Sequence, residues 1–252
     1  MSFNIYSENL VDQSTITGTN ENLLFPLSNI KDPRRSKVFR STTNSDSIVF
    51  DFNETSPVDT LFVMADKRAG FGFSTIELQF NGTDNWTSPA HTESITFSTE
   101  FGVAFKEFTE QSYRFCRIVL TSTLGYCELS KVFLGKKQNI TKSINYNWAV
   151  KDNELSTKQT NRYGQIFTDI ISRRKELNAS MTHLDKDDLD SLNQWLDRCG
   201  ESKPFFIKIG CDGLNTNDHR RLSGMYYLTD APQISNSHFN KYRLSISLIE
   251  AT

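Results

Sequence analysis

Cysteine, proline and charge of one sign are all in short supply in this 252-residue chain, and each shortage removes a class of protein. The four cysteines, Cys116, Cys127, Cys199 and Cys211, form no Cys-x-x-Cys pair, and the four histidines (His91, His183, His219, His238) lack zinc-ligand spacing. Four cysteines admit three pairings, so spacing leaves open either free buried thiols or a Cys116–Cys127 bridge between neighbouring strands. Six prolines and no long biased tract argue against disorder. With 28 basic and 30 acidic residues, net charge −2, no field exists for nucleic acid or a membrane surface. No apolar run approaches the ~18 residues that cross a bilayer. The start, MSFNIYSENLVDQ, has no basic region followed by an apolar core, so no signal peptide is expected. Gly-x-Ser-x-Gly elbows, P-loops and Gly-x-Gly-x-x-Gly cradles are missing as well. No catalytic residue, cofactor or metal-ligand set is therefore expected, and the chain reads as a non-enzyme.

What the chain does hold is aromatic and β-branched. Hydrophobic residues make up 37% of it, yet 19 are Phe. Few but large apolar side chains suit thin β layers filled by rings. Residues 1–136 read as all-β, with Val-, Ile-, Phe- and Thr-rich segments between turn clusters at Asn53–Pro57, Asn81–Asp84 and Leu124-Gly125. In Ser74–Trp86, STIELQFNGTDNW, the residues Ile76, Leu78 and Phe80 alternate with Glu77 and Gln79 and run into Asn81-Gly82. That predicts a half-buried strand entering a tight turn, with Trp86 covering the end of a core. The run Arg34-Arg35-Ser36-Lys37, after the turn-forming Asp32-Pro33, reads as solvated.

The pattern changes after Lys136–Asn139, the expected linker between domains 1–136 and 137–252. Lys151–Thr160 is polar and predicts a loop or hairpin arm; Gly164–Ile171 and Arg174–Met181 predict two strands, the second with Leu177, Ala179 and Met181 inward. One helix is predicted at about 185–199. Asp185 is its N-cap, Leu189, Leu192, Trp195 and Leu196 form its apolar stripe, and Gly200 ends it. Strands are expected at Lys203–Ile209, Gly224–Thr229 and Lys241–Glu250, the last alternating Tyr242, Leu244, Ile246 and Leu248 inward. The second domain is thus α+β.

Two resemblances follow from these phrases. The order Leu23–Ser41, Ile48–Asp66, Ser74–Trp86, Tyr113–Thr123, Tyr126–Lys136 resembles the discoidin-like jelly roll of the galactose-binding-like superfamily. The block from Tyr163 onward has Gly164 and Phe167, then RRKELNASM, an acid-capped helix ending Trp-Leu-x-x-Cys-Gly, Lys-Pro-Phe-Phe, and a closing Tyr-x-Leu-x-Ile-x-Leu-x-Glu strand. It is similar to minor tail and tail-tip (baseplate) proteins of tailed bacteriophages, departing from them in the polar insertion Asp212–Arg221. The resemblances imply a mainly β protein, a galactose-binding-like jelly-roll β-sandwich followed by a split-barrel-like sheet with one helix. They imply a structural virion protein, made in the host cytoplasm, that joins copies of itself in a ring and links the tail tube to other tail-tip proteins. The alternative they carry is a carbohydrate-binding module on host surface glycans. Some relatives of the first domain hold a structural calcium with loop carbonyls and a carboxylate; Asp32 lies in the corresponding loop.

Candidate contacts are few. Phe71 and Phe73, flanking Gly72 in the loop Lys67–Ser74, are candidates for projecting partner or glycan contacts, because exposed rings are costly in a monomer. Arg34 and Arg35 are candidates for subunit or glycan contacts. Trp86 and Trp148 offer ring faces of the kind sugars stack on. The acids Asp185, Asp187, Asp188 and Asp190 lack EF-hand spacing and read as charge compensation at a helix start.

Overall fold

A computed structural model describes residues 2–65, 72–96, 102–210 and 222–251, without the side chains of Ser2 and of 170–172. The elements of its first part are β1 (Ser2–Tyr6), α1 (Leu10–Gln13), β2 (Thr15–Gly18), β3 (Phe39–Arg40), β4 (Ser45–Met64), β5 (Phe73–Asn81), β6 (His91–Ser94), β7 (Val103–Ser122), β8 (Glu128–Leu129) and β9 (Lys131–Gly135). There follow β10 (Ala149–Thr160), β11 (Ile166–Leu184), α2 (Lys186–Cys199), β12 (Phe205–Gly210), β13 (Gly224–Leu228), β14 (Gln233–His238) and β15 (Lys241–Glu250). The fold is mainly β, and the chain forms two compact units. One comprises Asn4–Gln138 with Phe206–Gly224; the other comprises Met1–Phe3, Asn139–Phe205 and Met225–Thr252. The division after Gln138 falls within the expected linker, but 206–224 returns to the first unit, so a single cut at 136/137 does not describe the chain. The physical reason is aromatic: the Phe206 ring lies 5.3 Å from Phe62 and 5.2 Å from Phe133, and such ring pairs add about 0.5–1.5 kcal/mol beyond burial.

The sandwich unit is built on an antiparallel sheet in the order β2-β4-β7-β5-β6, with β9 on the far part of β4. Strands β4 and β7 are both 20 residues long, and their mutual register breaks between Asp51/Ser56 and Val58/Thr60. Before the breaks β4 alternates, with Ile48, Phe50 and Phe52 inward; after them Leu61–Met64 are all buried, as strands covered on both faces are. Bulges bend long strands in this way. The apolar face is completed by Phe39 and Leu129 of the β3–β8 ladder, by Leu27 and Ile30 of the 3-10 turn Leu27–Lys31, and by Val11 of α1. Gly135 closes β9 because a Cβ there would collide with the Glu8 carbonyl. Strand β5 matches the predicted one, but Asn81-Gly82 does not make a two-residue hairpin: β6 begins only at His91, after Asn81 Oδ1 accepts the Gly82 N–H at 2.8 Å.

In the second unit β13, β15, β11 and β10 are successive neighbours, with β14 also paired to β15. The two strands expected between Gly164 and Met181 are one continuous β11, and the polar stretch Lys151–Thr160 is its hairpin partner β10. Leu177, Ala179 and Met181 are buried as predicted, as are Leu244, Ile246 and Leu248. Helix α2 starts from the capping box of Asp185 and Asp188 and stops at Gly200, whose φ of 52° favours glycine. Asp188 is buried and accepts the Thr141 N–H at 2.7 Å and its hydroxyl at 3.0 Å. Strands β1 and β14 have no counterpart in the sequence reading, β14 because its QISNSH is polar and largely exposed.

Candidate functional site

The β3–β8 ladder sets Phe39 opposite Leu129 and Arg40 opposite Glu128. Side chains alternate along a strand, so Phe39 and Leu129 enter the core while Arg40 and Glu128 point out together. Both Arg40 bonds go to one carboxylate oxygen: Nε donates to Glu128 Oε2 at 3.0 Å and Nη2 at 2.5 Å. Among the described residues, Arg40 Nη1 and Glu128 Oε1 have no hydrogen-bond partner. An open donor therefore lies beside an open acceptor.

Two rings wall this pair. The Arg40 guanidinium carbon lies 4.5 Å from the Phe25 ring centre and 4.3 Å from that of Tyr126, both within cation–π range. Phe25 is placed by a turn latched onto the Arg40 backbone, with Asn22 N–H to Arg40 O at 3.1 Å and Arg40 N–H to Phe25 O at 3.1 Å. The Asn22 side chain accepts the Leu24 N–H at 3.0 Å, which leaves Leu23 and Leu24 at the turn apex, 91% and 82% exposed. Tyr126 is held by its neighbour Cys127, whose N–H donates to Ser41 Oγ at 2.8 Å. Phe25 and Tyr126 are half-buried, so each keeps part of its surface open to solvent.

A second cluster lies on β5, β7 and the loop after β5. Arg117 Nε donates to Gln79 Oε1 at 2.9 Å, and Gln79 in turn donates to Glu77. The Arg117 guanidinium stands 4.6 Å from the Trp86 ring centre, and the Trp86 indole N–H donates to Asp84 Oδ1 at 2.6 Å. Trp86 is therefore not a core cover: it is half-buried, outside the core cluster, and its N–H is turned to a surface carboxylate. Burial holds the Arg117 pKa below its ordinary value, against the pull of Glu77 and Asp84. Deeper in the sandwich unit, Glu107 accepts from Asn4 Nδ2 at 2.7 Å, Tyr6 OH at 2.7 Å and the Lys208 ammonium. Burial raises the Glu107 pKa, but the bonds from Lys208 and Tyr6 outweigh it and hold the carboxyl below its usual range.

The residues singled out from sequence fall elsewhere. Phe71 lies outside the described residues. Phe73 does not project: it is 4% exposed and belongs to the core, since β5 begins with it. Arg35 is not solvated; it is 3% exposed and its Nε donates to the Ala65 carbonyl at 3.1 Å. Arg34 is exposed but clamped on Asp32, Nε to Oδ1 at 2.9 Å and Nη2 to Oδ2 at 2.6 Å. Trp148 is half-buried. Cys116, Cys127 and Cys199 are buried free thiols; burial pushes Cys127 and Cys199 up to about 11, and Cys211 lies outside the described residues. Arg40, which reads from sequence as a solvated or subunit-contact charge like Arg34 and Arg35, is paired with Glu128; the two are far apart in sequence and only the ladder joins them.

A structural calcium does not fit the Asp32 loop. Both Asp32 oxygens are taken by Arg34, whose bonds hold that carboxyl well below the carboxylate range. The loop carbonyls are taken too: Lys131 Nζ donates to Asn29 O at 2.8 Å and Ser130 Oγ to Arg35 O at 2.5 Å. Lys131 and Arg35, 4% and 3% exposed, already bring buried positive charge to the place, where a divalent ion needs free oxygens. Among the described residues no group of three His, Cys, Asp or Glu could hold a metal. Burial pushes the Lys131 ammonium down to about 8, against the attraction of Asp32 and Asp12. Between about pH 8 and the ordinary 10.5 the unfolded chain holds that proton and the folded chain does not, so stability rises with pH across this window. Below pH 8 the cost of the buried charge is fully present. Lys131→Met is expected to abolish this rise in urea titrations, since the Asn29 carbonyl keeps the Asp32 N–H at 3.2 Å. The melting midpoint of the unaltered chain is expected to ignore both calcium and EDTA. An unchanged pH slope in the variant, or a midpoint raised by calcium, would count against this account.

No family model matches the chain, and no curated protein matches it in sequence. Solved structures similar to part of it include CpGH89CBM32-5 from Clostridium perfringens, in complex with GalNAc-β-1,3-galactose, at 10% identity over 51% of this chain and 100% of that one, TM-score 0.44. The family 32 CBM from C. perfringens NanJ, in complex with galactose, is 10% identical over 53% of this chain and 98% of that one, TM-score 0.43. A Streptococcus pneumoniae fucose binding module is 11% identical over 51% of this chain and 95% of that one, TM-score 0.41. At such identities the ligand of one protein does not transfer to another.

Proposed function

We propose that this is a binding protein without catalytic activity, and that its sandwich unit takes a glycan across Arg40, Glu128, Phe25 and Tyr126. The carrying observation is the uncommitted Arg40 Nη1 beside the uncommitted Glu128 Oε1, between two half-exposed rings. Neighbouring sugar hydroxyls accept from one and donate to the other, and the C–H face of a pyranose packs on an aromatic ring. A glycan array with the intact chain, followed by calorimetric titration of any hit, tests the proposal. Arg40→Ala is expected to weaken binding about 10- to 100-fold, the worth of a hydrogen bond to a charged group at about 1.5–3 kcal/mol. Arg34→Ala, whose guanidinium is spent on Asp32, should leave affinity unchanged. An intact chain that binds no glycan on the array would remove the reading.

The β10–β11 hairpin favours a second reading at the level of the particle. In it the protein is a structural component of a phage tail tip or baseplate, made in the host cytoplasm, whose copies join each other and neighbouring tail proteins while the sandwich unit meets host glycan. The exposure of Leu155, Tyr163, Ile166 and Phe167 along that hairpin supports an association surface, and the phage setting rests on the sequence resemblance alone. Mass spectrometry of purified particles checks it, and absence of the chain from them would dismiss it.

A further inference from the structure

We infer that the outer edge of β10 docks on the β10 edge of a second copy of this chain, the two strands running antiparallel through a two-fold axis at Leu155. This goes beyond the glycan reading, and it rests on the assembly reading only in giving that reading a surface. Strand β10 is the last in its sheet, with β11 on one side and no strand partner on the other among the described residues. Pairing of β11 with β15 begins at Glu176, so Glu154–Thr160 with Ile166–Arg173 stand as a ribbon of two strands. Such ribbons are marginal alone in water. This one carries Leu155 at 49%, Phe167 at 59%, Ile166 at 67% and Tyr163 at 73% exposure. Of the usual edge protections β10 carries charge but neither proline nor bulge. The one register break of the hairpin puts its extra residue, 171, on β11, leaving β10 regular.

Charge selects the occupant. Strand β10 bears Lys151, Asp152, Glu154 and Lys158. Glu154 is spent on Arg173, at 2.7 Å, whereas Asp152 and Lys158 have no ion-pair partner among the described residues. Those two opposite charges stand three positions either side of Leu155. Pairing through Leu155 sets each Asp152 against the other copy's Lys158, Leu155 against Leu155, Asn153 against Thr157, Glu154 against Ser156 and Lys151 against Gln159. No like charges meet. In one direction a slip of one residue puts Lys151 opposite Lys158, and a slip of two puts Glu154 opposite itself; like charges directly opposite are unfavourable. In the other direction a slip of one loses the Asp152–Lys158 pairs to Asp152–Gln159, and a slip of two sets Lys158 against Glu154, which Arg173 already holds. The same patch serves both copies, so the contact closes as a dimer rather than a ring.

The test uses the intact chain. Opposed residues of an antiparallel pair have Cα atoms about 4.5–5.5 Å apart, inside the range of about 4.4–6.8 Å that a disulfide spans. Leu155→Cys is therefore expected to give a cross-linked dimer on mild oxidation. Asp152→Cys is not, because its twin lies about 20 Å away along the strands. In sedimentation, Lys158→Asp should abolish the dimer, and Asp152→Lys combined with Lys158→Asp should restore it. A chain that stays monomeric at high micromolar concentration, with no Leu155→Cys cross-link, overturns the pairing and the assembly reading together. A ring of three or more copies without that cross-link keeps assembly and overturns the two-fold pairing. Equal cross-linking of the two cysteine variants also overturns it. None of these outcomes bears on the glycan reading, which the array decides separately.

Discussion

Phe62→Ala is expected to destabilise the chain by about 3–5 kcal/mol, read as a fall in urea midpoint at constant slope. Phe62 is fully buried, and four rings surround it: Tyr6 at 5.0 Å, Phe206 at 5.3 Å, Phe105 at 5.4 Å and Phe133 at 6.1 Å. These come from β1, β12, β7 and β9, so no single element can close over the space an alanine leaves. The cavity term should therefore sit at the upper end of its range. The same cluster draws Phe206 into the sandwich unit. If Phe62→Ala costs under about 1 kcal/mol, the cluster does not hold that unit together.

Trp195→Ala should cost a similar amount, about 3–5 kcal/mol, and Trp195→Phe only on the order of 1 kcal/mol. Trp195 is fully buried on α2, edge-on to Phe205 at 4.9 Å. Among the described residues its indole N–H has no hydrogen-bond partner, so the phenylalanine variant gives up ring volume but also removes an unsatisfied donor. Equal losses for the two variants would mean that the N–H is bonded after all. Helix content by circular dichroism separates melting of α2 from a general loss of fold.

Local grammar made much of the architecture legible. The α2 stripe and its Asp185 cap, the alternation of β15 and of β5, and the change of pattern near Gln138 were all readable. In each case the signal lies within a few residues and the period alone decides it. Failures occurred where a long-range partner overrules local composition. Arg35 sits in a run that reads as solvated, yet the Ala65 carbonyl takes its guanidinium into the interior. Phe73 sits beside glycine in a loop-like phrase, yet β5 begins with it and buries it. Trp86 is the type of ring that fills cores, yet Asp84 and Arg117 hold it at the surface.

The sequence alone determined that this is a β-rich chain with a helix at Lys186–Cys199, because strand and helix periods are local properties. Tertiary structure alone decided that Arg40 faces Glu128 between two rings, and that 206–224 joins the first unit. Both depend on which distant residues a ladder or an aromatic cluster brings together, and no spacing along the chain encodes that distance.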